Sequence, residues 1–108
     1  MSNYFKVLEE MEAKELMPGF FGKFLHLETM TIAYWEIKAG SNLPDHQHTN
    51  EQSTNILEGE MELKVGTEIM IVKPGIPVII PANVVHGGRT ITDCRVLDIF
   101  SPARPEYS

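Results

Sequence analysis

Residues 40–59 read GSNLPDHQHTNEQSTNILEG, and within this stretch His46 and His48 stand two positions apart. In a β-strand, residues i and i+2 point to the same face, so both imidazoles can be aimed at one point. Gln52 follows four residues after His48 and offers an oxygen donor, and Glu51 competes for that role. A divalent transition metal accepts imidazole nitrogen at about 2.0–2.1 Å and oxygen at a similar distance. The stretch is therefore a candidate metal site, with two solvated polar histidines as the alternative.

A second stretch, residues 75–90, reads GIPVIIPANVVHGGRT and adds His86 as a third histidine. Taken alone, His86 is more typical of a surface residue than of a metal ligand. The remaining histidine, His26, lies in an apolar segment with no partner at ligand spacing, and we interpret it as structural. The single cysteine, Cys94, excludes an internal disulfide and has no histidine nearby, so it is also interpreted as structural.

Composition indicates one globular domain over residues 1–108, with 43% apolar and 22% charged residues. The net charge of −6 argues against a nucleic-acid-binding surface, which usually carries a basic stripe. No apolar run approaches the roughly 18–20 residues that span a bilayer, so no membrane partner is expected. Residues 1–17 lack the basic and apolar regions of a signal peptide, and a cytoplasmic location is expected.

Short strands separated by turn signals run through most of the chain. Residues 1–17 are predicted to form a loose arm or one short helix, with a strand at its start as an option, and Met17-Pro18-Gly19 ends that segment. Alternation or β-branched and aromatic residues predict strands over 20–27, 30–37, 55–65, 68–72, 78–80 and 96–100. Trp35 and Tyr34 face opposite sides of their strand, so one of them lines the interior. Many short strands with almost no helix favour a sandwich or a barrel.

With these residues in place, the chain resembles the cupin family, small jelly-roll β-barrels with a metal inside the barrel. The family's first motif, G-x5-H-x-H-x3,4-E-x6-G, matches residues 40–59 at every spacing, with Gln52 where glutamate is usual. The second, G-x5-P-x-G-x2-H-x3-N, matches residues 75–90 through His86, with Asn83 for glycine and Thr90 for asparagine. Asparagine tolerates the left-handed conformation that a turn glycine would supply. The resemblance implies an all-β cupin jelly-roll β-barrel (double-stranded β-helix) with a short N-terminal arm.

The resemblance also implies one divalent transition metal per chain, held by His46, His48, Gln52 and His86. Nickel, zinc, manganese and iron all accept these ligands. Four neutral ligands leave the charge of the metal uncancelled, which makes it a stronger Lewis acid. The same set suits a 3+ state poorly, which argues against oxygen-activating iron chemistry that uses two histidines and a carboxylate.

Within the cupins, this ligand set is similar to that of the KdgF-like pectin-degradation proteins, which ketonise unsaturated uronates. That group carries an aspartate, an aromatic residue and an arginine late in the chain, matched here by Asp98, Phe100 and Arg104. If Asp98 faces the barrel interior, burial raises its pKa and suits it to general acid/base catalysis; the alternative is a rim ion pair with Arg95 or Arg89. Arg104 is a candidate clamp for a substrate carboxylate or, alternatively, a solvated residue of the tail.

The resulting expectation is a metal-dependent isomerase that opens and tautomerises a 4,5-unsaturated uronate or a similar sugar acid. In that reaction Asp98 and Arg104 would be catalytic, and Phe100 and Arg104 would contact the small-molecule substrate. A metal-dependent dioxygenase and a non-enzymatic metabolite-binding cupin are the alternatives. The resemblance further implies a homodimer that pairs through edge strands, with the apolar strand from Phe20 as a contributor.

Overall fold

The computed structural model describes residues 2–107, which form two antiparallel β-sheets and two three-residue 3₁₀ helices. The strands are Lys14–Met17 (β1), Phe20–His26 (β2), Thr31–Ile37 (β3), Asn42–His46 (β4), Glu51–Glu58 (β5), Met61–Val65 (β6), Glu68–Val72 (β7), Val78–Ile80 (β8), His86–Thr90 (β9) and Cys94–Ser101 (β10). The 3₁₀ helices are Leu8–Glu10 and Pro105–Tyr107. Among the described residues, no helix has the length and apolar character needed to cross a membrane.

The two sheets face each other as in a jelly roll, which confirms the predicted all-β cupin fold. One sheet has the order β1-β2-β3-β10-β5-β8, and the other has the order β4-β9-β6-β7. Non-consecutive neighbours such as β3 and β10 show that the chain repeatedly crosses from one sheet to the other. The inward-facing side chains of both sheets form one core. Its apolar members include Trp35, Ile56, Leu63 and Val96, each at most 7% exposed.

The strand predicted over 55–65 is wrong in one respect, because the chain changes sheets within it. β5 ends at Glu58 in the six-stranded sheet, and β6 begins at Met61 in the four-stranded sheet. Gly59 lies between them with φ = 92°, a left-handed conformation that favours glycine. A side chain at this position would also collide with the backbone oxygen of Asp93. The last glycine of the first motif is therefore the point at which the chain leaves one sheet for the other.

The N-terminal prediction needs a similar correction. Residues 2–13 form an arm with the short 3₁₀ helix, but the strand lies at the end of the segment, as β1, rather than at its start. β1 pairs with β2 and so occupies the edge of the six-stranded sheet. The strand that starts at Phe20 is consequently an inner strand, and it cannot offer a free edge to a second copy.

The register of β5 and β10 separates the barrel interior into an apolar end and a polar end. Ile56 pairs with Val96 at the apolar end, whereas Thr54 pairs with Asp98 one step further along. Gln52 pairs with Phe100 one step beyond that. On the opposite sheet, His46 pairs with His86 at the end of β4. The polar residues of both motifs therefore meet at one end of the barrel.

Candidate metal centre

Three histidines from two different motifs converge at the polar end of the barrel. His46 is the last residue of β4, His86 is the first residue of β9, and His48 lies in the loop before β5. Their ring centroids are 4.2 Å apart for His46 and His86, 4.9 Å for His48 and His86, and 5.6 Å for His46 and His48. One ring nitrogen from each residue lies within 4.8 Å of the other two. This spacing suits a single metal ion bound to all three.

The backbone fixes the tautomer of each imidazole in the same way. Every Nδ1 lies 2.9 Å from a carbonyl oxygen two residues away in the chain; the partners of His46, His48 and His86 are Pro44, Asn50 and Val84. A carbonyl oxygen only accepts hydrogen bonds, so each Nδ1 carries the proton and donates it. In the neutral ring this leaves Nε2 with a lone pair, which is the form that binds a metal.

Two of these Nε2 atoms lie in surroundings that favour a bound cation. His86 Nε2 is buried and has no hydrogen-bond partner among the described residues. His48 Nε2 lies 3.1 Å from Gln52 Oε1, while Gln52 Nε2 donates to Thr54 Oγ1 at 2.8 Å. Two lone pairs therefore face each other across 3.1 Å, an arrangement that a metal ion relieves by accepting both. The residues present fit a divalent metal, with Gln52 as its oxygen ligand.

Burial favours the neutral form of His86 and of His48. Desolvation lowers the pKa of His86 to about 4, and it also lowers the pKa of His48 from the ordinary value of 6.5. Hydrogen bonds to the backbone oppose the effect of burial but do not cancel it. Because a metal binds imidazole only in its neutral form, protons compete less strongly with a metal at these two histidines than at exposed ones.

Asp98 lies inside the barrel, next to the histidine cluster, and is 8% exposed. Its Oδ2 accepts a hydrogen bond from Trp35 Nε1 at 3.1 Å, whereas Oδ1 has no partner among the described residues. Burial raises the pKa of this carboxyl to about 6. The alternative of a rim ion pair is wrong, because Arg95 pairs with Glu58 and Arg89 pairs with Glu62.

Phe100 and Arg104 lie against each other in the barrel, near the histidine cluster. Phe100 is 2% exposed, and its ring centroid lies 5.8 Å from that of His48. The guanidinium carbon of Arg104 lies 5.0 Å from the centroid of the Phe100 ring. The Arg104 side chain is only 13% exposed, so it is not the solvated tail residue that the alternative described. Burial is the main cause of the lowered pKa of His48 and of His86, and the positive charge of Arg104 lowers both pKa values further.

Most of these residues line one cavity of about 60 Å³. His46, Gln52, His86, Asp98, Phe100 and Arg104 all contribute to its lining. Apolar core residues complete the lining, together with the aromatic residues Phe20, Trp35 and Tyr107. Trp35 is the interior member of the Trp35/Tyr34 pair, and Tyr107 was not among the sequence-predicted site residues. The structure thus places every sequence-predicted site residue at one end of the barrel.

Comparisons with known proteins agree with this geometry. A family model described as Cupin domain matches residues 33–100. An uncharacterized protein of Streptomyces coelicolor is 31% identical over 97 residues, which cover 88% of this chain and 92% of that protein.

Among solved structures, an RmlC-like cupin from Shewanella frigidimarina has a TM-score of 0.93 at 25% identity, covering 99% of this chain and 97% of that chain. KdgF from Halomonas sp. has a TM-score of 0.92 at 24% identity, covering 99% and 100%. Salicylate 1,2-dioxygenase from Pseudoaminobacter salicylatoxidans has a TM-score of 0.75 at 13% identity, covering 80% of this chain and 28% of that chain. At these identities, the likenesses to KdgF and to the dioxygenase concern the fold alone.

Proposed function

The chain belongs to the cupin family, and from that premise we propose that it is a metal-dependent enzyme that opens and ketonises a small unsaturated uronate or a similar sugar acid. The observation that carries this proposal is the joint placement of metal ligands, a buried acid and a cation in one cavity. The shared fold with KdgF is consistent with it but does not establish the reaction.

The proposed metal ligands are His46, His48, His86 and Gln52, one divalent transition ion per chain. A bound metal supplies a Lewis acid for the oxygens of the substrate. All four ligands are uncharged, so none of the positive charge is neutralised by the protein. Gln52 has a definite part in this arrangement, because its bond to Thr54 turns the amide oxygen toward His48.

The acid and the cation of the cavity suit a sugar acid. Arg104 would pair with the substrate carboxylate through its remaining N–H groups. Asp98 has a pKa of about 6, so both of its protonation states are populated near neutral pH and it can give or accept a proton. In the proposed isomerisation the anomeric hydroxyl loses a proton and the bond between C1 and the ring oxygen breaks, which leaves an aldehyde at C1 and an enolate at C5. A proton delivered to C4 then converts the enolate into a ketone. The reaction involves no net oxidation or reduction. Phe100 would limit the access of water from the side of Arg104.

Two other functions remain as alternatives, each with its own signature. A metal-dependent dioxygenase would consume oxygen, and the salicylate 1,2-dioxygenase has a similar fold. Among the residues that the structure describes, the histidine cluster holds no carboxylate ligand of the kind typical of one large class of iron oxygenases. A non-enzymatic metabolite-binding cupin would be stabilised by its ligand without turnover.

The test combines metal analysis with a ketonisation assay. The wild-type protein is expected to purify with about one metal per chain and to accelerate loss of the ultraviolet absorbance of a 4,5-unsaturated uronate above the spontaneous rate. His48→Ala is expected to lose both the metal and the activity. His26→Ala is the matched control for metal binding, because His26 is an exposed histidine whose hydrogen bond to Thr31 Oγ1 lies outside the histidine cluster; it is expected to keep the metal.

The outcomes separate the alternatives. A metal-loaded protein that leaves the spontaneous rate unchanged refutes the ketonisation proposal. Oxygen uptake with small phenols or diketones would instead favour the dioxygenase. If His48→Ala and His26→Ala retain metal equally, the histidine cluster is not the metal site.

A further inference from the structure

Residues 102–107, here called the C-terminal segment, contribute Arg104 and Tyr107 to the lining of the cavity. Asn50 Nδ2 donates to the carbonyl oxygen of Pro102 at 2.6 Å, and the Arg104 backbone N–H donates to Thr31 Oγ1 at 2.8 Å. The backbone oxygen of Asn50 is also the acceptor for His48 Nδ1. One residue therefore anchors both a predicted metal ligand and the C-terminal segment.

Tyr107 is the aromatic residue of this segment, and it packs against the core of the barrel. Its ring stacks on Phe24 with centroids 4.9 Å apart and an interplanar angle of 29°. It meets the edges of Phe100 at 5.6 Å and Trp35 at 5.8 Å. Four aromatic rings thus form a continuous wall, and Tyr107 closes it on the side of the cavity where Arg104 lies. Substitution of this ring by a small side chain would enlarge the cavity without touching the histidines.

Tyr107 also fixes the position of Arg104. Arg104 Nη1 donates to the Tyr107 hydroxyl at 2.9 Å, and the guanidinium carbon lies 4.3 Å from the ring centroid. Arg104 Nε donates to Glu106 at 3.1 Å. An arginine has five N–H groups, so these two bonds leave three for a ligand. The guanidinium is held between two aromatic rings, with its free N–H groups available at the cavity.

We propose that Tyr107 is a positioning and specificity-determining residue of the site. Its hydroxyl holds Arg104 in the orientation that favours a carboxylate ligand over a neutral ligand of the same shape, and its ring limits the size of the ligand. This inference rests on the proposed function insofar as the ligand is a small sugar acid. It does not depend on which reaction that ligand undergoes.

The single tryptophan of the chain provides a direct reporter, because Trp35 lies in the same wall as Tyr107. Zinc-loaded protein is suitable, since Zn²⁺ has no redox chemistry that would complicate the fluorescence. The probes are D-galacturonate and D-galactose, which differ only at C6, where the first has a carboxylate and the second a hydroxymethyl group. Binding is followed by Trp35 fluorescence, and the exposure of Trp35 is followed by acrylamide quenching.

Three variants separate the hydroxyl of Tyr107 from its ring. Tyr107→Phe is expected to weaken galacturonate binding about fivefold to tenfold, to leave galactose binding unchanged, and to leave the quenching of Trp35 unchanged. Tyr107→Ala is expected to remove the preference for the acid and to raise the quenching constant at least about twofold, because one edge of Trp35 loses its cover. Tyr34→Phe is the matched control. Tyr34 lies on the same strand as Trp35 but on its opposite face, so this variant should bind both probes like the wild type.

The result that overturns the inference is equal preference for galacturonate over galactose in the wild type, Tyr107→Phe and Tyr107→Ala. A wild type with no preference for the acid also overturns it. The ketonisation assay is read separately. An inactive wild type whose preference for galacturonate depends on Tyr107 refutes the proposed reaction but supports this inference, and an active wild type with unaffected Tyr107 variants does the opposite.

Discussion

Substitution of Asp98 by asparagine is expected to change how the stability of the metal-free protein depends on pH. Burial raises the pKa of Asp98 from 3.8 to about 6 in the folded state. The contribution of Asp98 to the free energy of unfolding of the wild type is therefore fully present below pH 4. It is lost as the pH rises through 6, since the buried carboxyl must then ionise. Each pKa unit corresponds to about 1.4 kcal/mol, so the loss amounts to about 3 kcal/mol. Asp98→Asn removes this loss.

A second group acts in the opposite direction over nearly the same range. Burial lowers the pKa of His86 from 6.5 to about 4, so its contribution to stability is present above pH 6.5 and is lost as the pH falls through 4. In the wild type, these two contributions partly offset each other. In Asp98→Asn the histidine contribution remains alone, and the free energy of unfolding should increase clearly with pH between 4 and 6.5.

Urea unfolding of chelator-treated protein at several pH values between 4 and 7 measures this effect. The informative quantity is the difference in the free energy of unfolding between Asp98→Asn and the wild type, because contributions common to both cancel. That difference should grow by about 3 kcal/mol in favour of the variant from pH 4 to pH 7. Glu12→Gln, which removes an exposed carboxylate, is the control and should parallel the wild type. A difference that does not vary with pH would refute a buried, proton-binding Asp98.

Three further predictions concern the ligands, the cation and the assembly. Gln52→Glu is expected to bind the metal about tenfold more tightly and to ketonise more slowly, because a carboxylate cancels part of the metal charge; competition with a chromogenic chelator and the ultraviolet assay measure the two effects. Arg104→Lys is expected to raise the KM for the uronate about tenfold with a smaller change in kcat, since an ammonium cannot form the paired hydrogen bonds of a guanidinium; steady-state kinetics would contradict this by showing an unchanged KM. The chain is predicted to be a homodimer that pairs through an edge strand, and Leu16→Lys in β1, where Leu16 is 40% exposed, is expected to shift the protein toward monomer in sedimentation equilibrium.

Sequence spacing predicted that His46 and His48 lie together, whereas His86 was added by the resemblance to the cupin family and joins them through the pairing of β4 with β9. The turns of both motifs follow from short-range rules. Asn83 illustrates this point. It replaces a motif glycine, and it has φ = 64°, in the left-handed region that asparagine tolerates. The resemblance to the cupin family predicted the fold correctly, since the residues that define the motifs of the family are also those that end strands and form turns.

The predicted strand boundaries were wrong where the local sequence pattern continued across the point at which the chain passes from one sheet to the other. If residues 55–65 are taken as one strand, Leu57 shares a face with Met61 and Leu63, and all three are expected to be buried. In the structure Leu57 is 43% exposed and Ile56 is 4% exposed, because the chain changes sheets at Gly59. Strand β4 was missed for a different reason. It contains Pro44, a residue that is unfavourable in strands except at an edge, and β4 is an edge strand.

Tyr107 shows what a sequence pattern cannot supply. Its partners in the aromatic wall come from three different strands, and two of them, Phe24 and Trp35, are far away in the chain. No periodicity or spacing links these positions, since they meet only when the barrel closes. Asp98 is an intermediate case. The sequence indicated two environments for it, and the register of β10 against β3 and β5 was needed to place it inside.

The charges of the cavity favour an anionic ligand even though the whole chain carries a net charge of −6. Each proposed metal ligand is neutral, Arg104 is positive, and burial keeps Asp98 partly protonated near pH 6. With a divalent ion bound, the cavity therefore has an excess of positive charge in surroundings of low polarity, where electrostatic attraction is stronger than at the surface. A neutral sugar would leave this charge without a partner, whereas a sugar acid supplies one. Because the pair would be shielded from solvent by Phe100 and Tyr107, added salt should weaken the binding of a uronate much less than it weakens a contact between exposed charges.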